Sequence, residues 1–123
     1  MRASFFGLIG EDDSHGSLSR HRRRQALQRH EGTRPTEFKA WLELDKIVGR
    51  EDGKIPRKYR ELIALAVAHV TQCVYCIDAH AKGAKKAGAT REEIVETTFL
   101  AAALRAGGAA AHGTLALKLY DRA

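Results

Sequence analysis

The chain is 123 residues long, with 44% hydrophobic and 29% charged residues and a formal net charge of +6. That length suits one domain with a single core and excludes two, and the composition excludes wholesale disorder. Only eight residues are aromatic (four Phe, three Tyr, one Trp) while alanine dominates the second half, a balance that favours close-packed helices over a strand-built core.

The opening segment, MRASFFGLIGEDD, holds an apolar run of only five residues before Glu11, Asp12 and Asp13. This is shorter than a secretory core or a membrane span, so a cytoplasmic protein with no membrane partner is expected. The positive charge sits toward the front: residues 1–35 carry seven basic and four acidic side chains, against seven and six over residues 61–123. The densest run, RHRRRQALQRH from Arg20 to His30, has no interleaved aromatic residue. It offers no base-stacking platform, so a solvated basic arm is expected in preference to a nucleic-acid contact. Residues 1–33 lack a sustained apolar stripe; they are expected to form an extension that folds only against a partner or stays poorly ordered, ahead of a domain over 34–123.

Pro35 opens PTEFKAWLELDKIVG, where Phe38, Trp41, Leu42, Asp45 and Val48 follow 3–4 spacing and Gly49 is a natural stop. REDGK reads as a loop, and Pro56 suits the first turn of the helix RKYRELIALAVAHV. That helix is apolar nearly all round from Leu62 to Val70, which predicts burial in the domain or against another subunit. A break is expected near Thr71–Gln72, followed by a helix carrying both cysteines and ending at KKAG, where Gly88 can cap. Thr90 and Glu93 in TREE have capping-box spacing and open REEIVETTFLAAALRA. Gly107–Gly108 are expected to separate or kink this helix from AAAHGTLALKLYDR. No segment alternates with period two for long enough to be a strand, so the fold class is all-α.

Both cysteines lie in Cys73-x-x-Cys76-x-x-x-His80. On one helix, Cys76 and His80 share a face by their i,i+4 spacing, and Cys73 falls on the same stripe. A cysteine at a helix N-terminus has its thiolate stabilised by the unpaired N–H groups and the dipole. A nearby imidazole can accept the thiol proton, and a sulfenic acid formed on one sulfur can condense with the other thiol. If the chain reverses near Thr71, Glu61 and His80 are about equally far from the turn, roughly 15 Å each at a rise of about 1.5 Å per residue. Glu61 could then orient the imidazole, or it could simply be an early-helix glutamate favouring the dipole. Three further readings stand beside the redox one. Cys73, Cys76 and His80 could hold zinc with Glu61, His69 or His112 as a fourth ligand, although the second closely spaced ligand pair of structural zinc sites is missing. The cysteines could be inert and buried. A c-type haem is excluded, because Ile77 follows Cys76. His69, inside the apolar helix, reads as a satisfied core or interface histidine.

Glu61, Cys73, Cys76 and His80, set in ELIALAVAHVTQCVYCIDAHAKGAKKAGATREEIVE, resemble the alkylhydroperoxidase D-like core of the carboxymuconolactone decarboxylase superfamily. The resemblance covers roughly residues 35–120. It implies an all-helical fold with the CxxC motif in a helical hairpin, assembled as a trimer or hexamer. It also implies reduction of a hydroperoxide through a Cys73–Cys76 dithiol/disulfide cycle, with Cys76 meeting the peroxide and Cys73 resolving it. Glu61 and His80 form the proton relay in that pattern. No cofactor or metal is implied; the partners are the hydroperoxide and an external dithiol reductant such as a lipoyl- or thioredoxin-like protein. The better-studied branch places a His between the cysteines where this chain has Tyr75, which could pass a proton or hold a water. His112 could line the same pocket from another helix or a neighbouring subunit. The alternatives are a carboxymuconolactone decarboxylase-like enzyme using His80 or His112 as base, and a redox-sensing binding protein. The apolar helix 61–70 and the small-residue surface 101–111 independently favour a homo-oligomer.

Overall fold

The structure is a computed structural model that describes residues 20–123. The described residues form five helices and no strand: α1 (Arg20–Thr33), α2 (Pro35–Gly49), α3 (Arg57–Val70), α4 (Val74–Lys86) and α5 (Arg91–Tyr120). The chain divides into a unit ending at Phe38 and a unit spanning Lys39–Ala123. The first contains α1, which is helical through the basic run Arg20 to His30; the earlier part of the expected extension lies outside the described residues.

α2 begins at Pro35, whose missing N–H costs nothing in the first turn, and ends at Gly49, the bounds that the spacing predicts. The loop that follows is tied down by two arginines of α3. Arg60 donates to the carbonyls of Ile47 (2.8 Å), Ile55 (2.9 Å) and Arg50, so its guanidinium caps the C-terminal end of α2. Arg57 donates to the Gly49 carbonyl and pairs with Glu51 at 3.0 Å.

α3 packs on both α4 and α5. Its buried positions Glu61, Leu65 and Ala68 form one i, i+4, i+7 stripe. A second stripe of the same spacing, Ile63, Val67 and Val70, stays 52%, 55% and 42% exposed in the single chain. The all-round apolar character therefore resolves into one covered face and one open face.

The reversal into α4 is built by Gln72, whose φ of 57° lies in the left-handed region. Cys73 N–H reaches the Ala68 carbonyl (3.0 Å) and Gln72 N–H reaches His69 (3.2 Å), the paired bonds of a Schellman C-cap. Gly88, with φ of 87°, repeats this motif at the end of α4: Ala89 bonds to Ala84 at 2.9 Å and Gly88 to Lys85 at 3.1 Å. α5 starts on the expected capping box. Thr90 Oγ1 accepts from Glu93 N at 3.2 Å, and Glu93 returns a carboxylate to Thr90 N at 2.8 Å. The Gly107–Gly108 break does not occur, because α5 runs unbroken from Arg91 to Tyr120. Glycine tolerates helical φ and ψ at a cost of about 1 kcal/mol each, and the alanines on both sides continue the helix.

Candidate functional site

Two ends of the α3–α4 hairpin meet where the residue count from the turn places them. His80 Nδ1 lies 2.9 Å from Glu61 Oε2, and both side chains are well covered, at 22% and 4% exposure. A glutamate buried to that degree needs partners for both oxygens. Oε1 accepts from Arg57 Nε at 2.8 Å, with Arg57 Nη2 in ion-pair contact at 2.7 Å. The hydrogen bond that Arg57 donates to Glu61, more than its contact with Glu51, raises the guanidinium above even its usual high pKa. Glu61 is the fifth residue of α3, so its contact is with His80 and Arg57 rather than with the free N–H groups of the first turn.

The carboxylate fits only because α4 carries a glycine opposite it. A Cβ at Gly83 would sit 2.5 Å from Glu61 Oε2, 2.7 Å from Cδ and 2.9 Å from Oε1. Residues one turn apart on α4, His80 and Gly83, thus serve the same carboxylate, one by contact and one by clearance.

Cys73 and Cys76 are joined as a disulfide across the start of α4. Cys73 occupies the N-cap, with extended backbone (φ −87°, ψ 94°), and its sulfur accepts the Cys76 N–H at 3.2 Å. This modifies the expected single stripe, because Cys73 precedes the helix instead of lying on it. The positive end of α4 faces its sulfur, which stabilises a thiolate there.

Cys76 and His80 share the wall of an apolar cavity of about 370 Å³, lined also by Ile47, Val48, Ile55, Ile63 and Val67. Cys73 is not among its lining residues. Gly83 itself lines a separate polar cleft with Glu51, Arg57 and Lys86.

The remaining candidates fall elsewhere. Tyr75 is 51% exposed on the first turn of α4 and does not line the Cys76 cavity. His112 is on an α5 stretch where residues 102–123 are all exposed in the single chain, outside that cavity. His69 has both ring nitrogens engaged, by the Leu65 carbonyl at 2.8 Å and Thr98 Oγ1 at 3.5 Å. Arg57 and Gly83 escaped the sequence reading. Arg57 carried a signal, its i,i+4 spacing to Glu61; Gly83 carried none beyond a glycine inside a helix.

Among known proteins, residues 35–119 match the carboxymuconolactone decarboxylase family. The chain is 50% identical over 82 residues to a Paracoccus denitrificans protein called uncharacterized protein 4 in cox locus, covering 67% of this chain and 73% of that one. It is 32% identical over 71 residues to an uncharacterized protein of Cupriavidus necator, covering 58% and 63%. Among solved structures it resembles the apo form of a carboxymuconolactone decarboxylase family protein from Legionella pneumophila. Identity there is 28% with a TM-score of 0.64, over 90% of this chain and 97% of that one.

Proposed function

Since the chain belongs to the carboxymuconolactone decarboxylase family, we propose that within it this protein is a thiol-dependent peroxidase acting on organic hydroperoxides. The observation that carries this reading is the shared wall: Cys76 and His80 line one apolar cavity while a buried Glu61 engages Nδ1 of the same imidazole. In the reduced protein His80 takes the Cys76 thiol proton, and the thiolate attacks the terminal peroxide oxygen. The O–O bond breaks, the alkoxide leaves as an alcohol with the proton from His80, and Cys76 becomes a sulfenic acid. The Cys73 thiol then displaces that hydroxyl as water, forming the Cys73–Cys76 disulfide. An external dithiol, lipoyl- or thioredoxin-like, reopens it and is itself oxidised to a disulfide.

The aliphatic lining of Ile47, Val48, Ile55, Ile63 and Val67 favours a peroxide with an apolar body over hydrogen peroxide. Assembly as a homo-oligomer belongs to the same reading. Phe99, Leu104, Leu117 and Tyr120 of α5 are 70%, 77%, 66% and 80% exposed in the single chain, and apolar side chains that open to water favour cover by further copies. The test is stopped-flow consumption of cumene hydroperoxide by reduced protein with dithiol in excess. Cys76→Ser should abolish turnover, and Cys73→Ser, assayed without dithiol, should consume one equivalent and stop at the sulfenic acid where the parent goes on to the disulfide. Parent-like turnover by Cys76→Ser would end the proposal, and any lactone-decarboxylating activity that survived loss of both cysteines would replace it.

A further inference from the structure

Resting on the thiol chemistry above, we infer that Arg57 is a positioning residue: it holds Glu61 as an acceptor-only carboxylate and thereby sets which nitrogen of His80 is free to act as base. Two groups 2.9 Å apart, His80 Nδ1 and Glu61 Oε2, share a single proton between them. With Glu61 ionised, that proton belongs to Nδ1, and the neutral ring keeps its lone pair on Nε2. When the pair takes up one further proton from solvent and it resides on Oε2, the carboxyl donates to Nδ1, the ring proton sits on Nε2, and the ring cannot accept the thiol proton there. Water cannot decide between these states at a side chain with 4% exposure. Arg57 can, because Nε donates to Oε1 at 2.8 Å while Nη2 sits in ion-pair contact with the same oxygen at 2.7 Å, a charge-assisted contact that a carboxylate can only accept.

The clamp is itself seated. The third guanidinium nitrogen, Nη1, donates to the Gly49 carbonyl and pairs with Glu51 at 3.0 Å, fixing the fork from the opposite side. Gly83 leaves the carboxylate its place. The charged groups around the pair are Arg57 from α3, Glu51 from the preceding loop and Lys86 from α4, the last two lining the polar cleft with Arg57. Only Arg57 of these is bonded to Glu61 among the described residues. A purely structural reading of Arg57, as a tie between loop and helix, leaves the His80 tautomer indifferent to it.

The experiment uses the full reduced chain with ¹⁵N-labelled histidine, comparing the parent with Arg57→Gln and Arg57→Lys. The parent should show His80 protonated on Nδ1. Arg57→Gln should move the ring to a mixture rich in the Nε2–H form, and Arg57→Lys, with the charge but not the fork, should fall between. In a Cys73→Ser background, alkylation of Cys76 by iodoacetamide should slow about tenfold in Arg57→Gln, a partial loss of the roughly 10²–10⁴-fold that a positioned base contributes. It should slow no further when Arg57→Gln is added to Glu61→Gln. An unchanged tautomer in either Arg57 variant overturns the inference, as does a further loss in the Glu61→Gln background. If Arg57→Gln does not fold, Arg57→Lys alone decides it. A parent that reduces no hydroperoxide, yet shows the tautomer shift, ends the peroxidase proposal and leaves this inference standing.

Discussion

Gly83→Ala offers the sharpest check on how the hairpin is packed, because two general rules predict opposite signs. In an exposed helix interior the change should stabilise by about 1 kcal/mol through helix propensity alone. Here the new Cβ would fall 2.5 Å from Glu61 Oε2 and 2.9 Å from Oε1, far inside van der Waals contact. The carboxylate has nowhere to retreat, because Arg57 holds Oε1 and His80 holds Oε2. Shifting it sacrifices a charge-assisted hydrogen bond at about 1.5–3 kcal/mol. Parting α4 from α3 instead costs about 1–3 kcal/mol, the scale of overpacking. Setting the propensity gain of about 1 kcal/mol against either cost leaves a net loss of up to about 2 kcal/mol. Urea unfolding, at one protein concentration and one disulfide state, measures it. The same substitution in a Glu61→Ala background should recover the stabilising sign. A Gly83→Ala protein more stable than the parent by about 1 kcal/mol would refute the close approach.

Thr90→Ala removes the reciprocal bonds with Glu93 and should cost about 0.5–2 kcal/mol, read from the urea midpoint. Gln72→Gly relieves a left-handed φ of 57° that costs an L-residue about 1–2 kcal/mol; offset by the freer unfolded chain, it should stabilise by up to about 1 kcal/mol in the same assay. The acid limb of stability follows from carboxyls held below their ordinary range, Glu37, Asp52, Glu92 and Glu93. Lys58, with the Thr90 backbone, holds Glu93 below the usual glutamate range, and Arg50 lowers Asp52 from 3.8 to about 2. Folded values below unfolded ones give stability that is full above the unfolded pKa and lost as pH falls through the folded value. Thermal midpoints should therefore hold above about pH 5 and decline toward pH 2. Glu93→Gln should lower the neutral-pH midpoint and flatten that decline, whereas an unchanged slope would show that its pair with Lys58 does not persist in solution.

The parts of the site that could be read in the sequence are those fixed by counting. The helix bounds Pro35–Gly49 and Arg57–Val70 follow from a proline, a glycine and a periodic apolar pattern, and the reach from Glu61 to His80 follows from equal distances to the turn. Terminal detail was less accessible. Whether Cys73 lies on α4 or caps it depends on Gln72 adopting a left-handed conformation, and glutamine carries no signal for that as glycine would. The Gly107–Gly108 pair shows the converse error, since glycine permits a break without requiring one. Gly83 lies deepest beyond a one-dimensional reading. Its requirement comes from a carboxylate 22 positions earlier in the chain, and that carboxylate presses on α4 only because Arg57 holds it there. The residues that carry chemistry announce themselves by type, whereas those that aim the chemistry become visible only once distances are known. Arg57 belongs to the second kind, and altering it should move the His80 proton before it moves the fold.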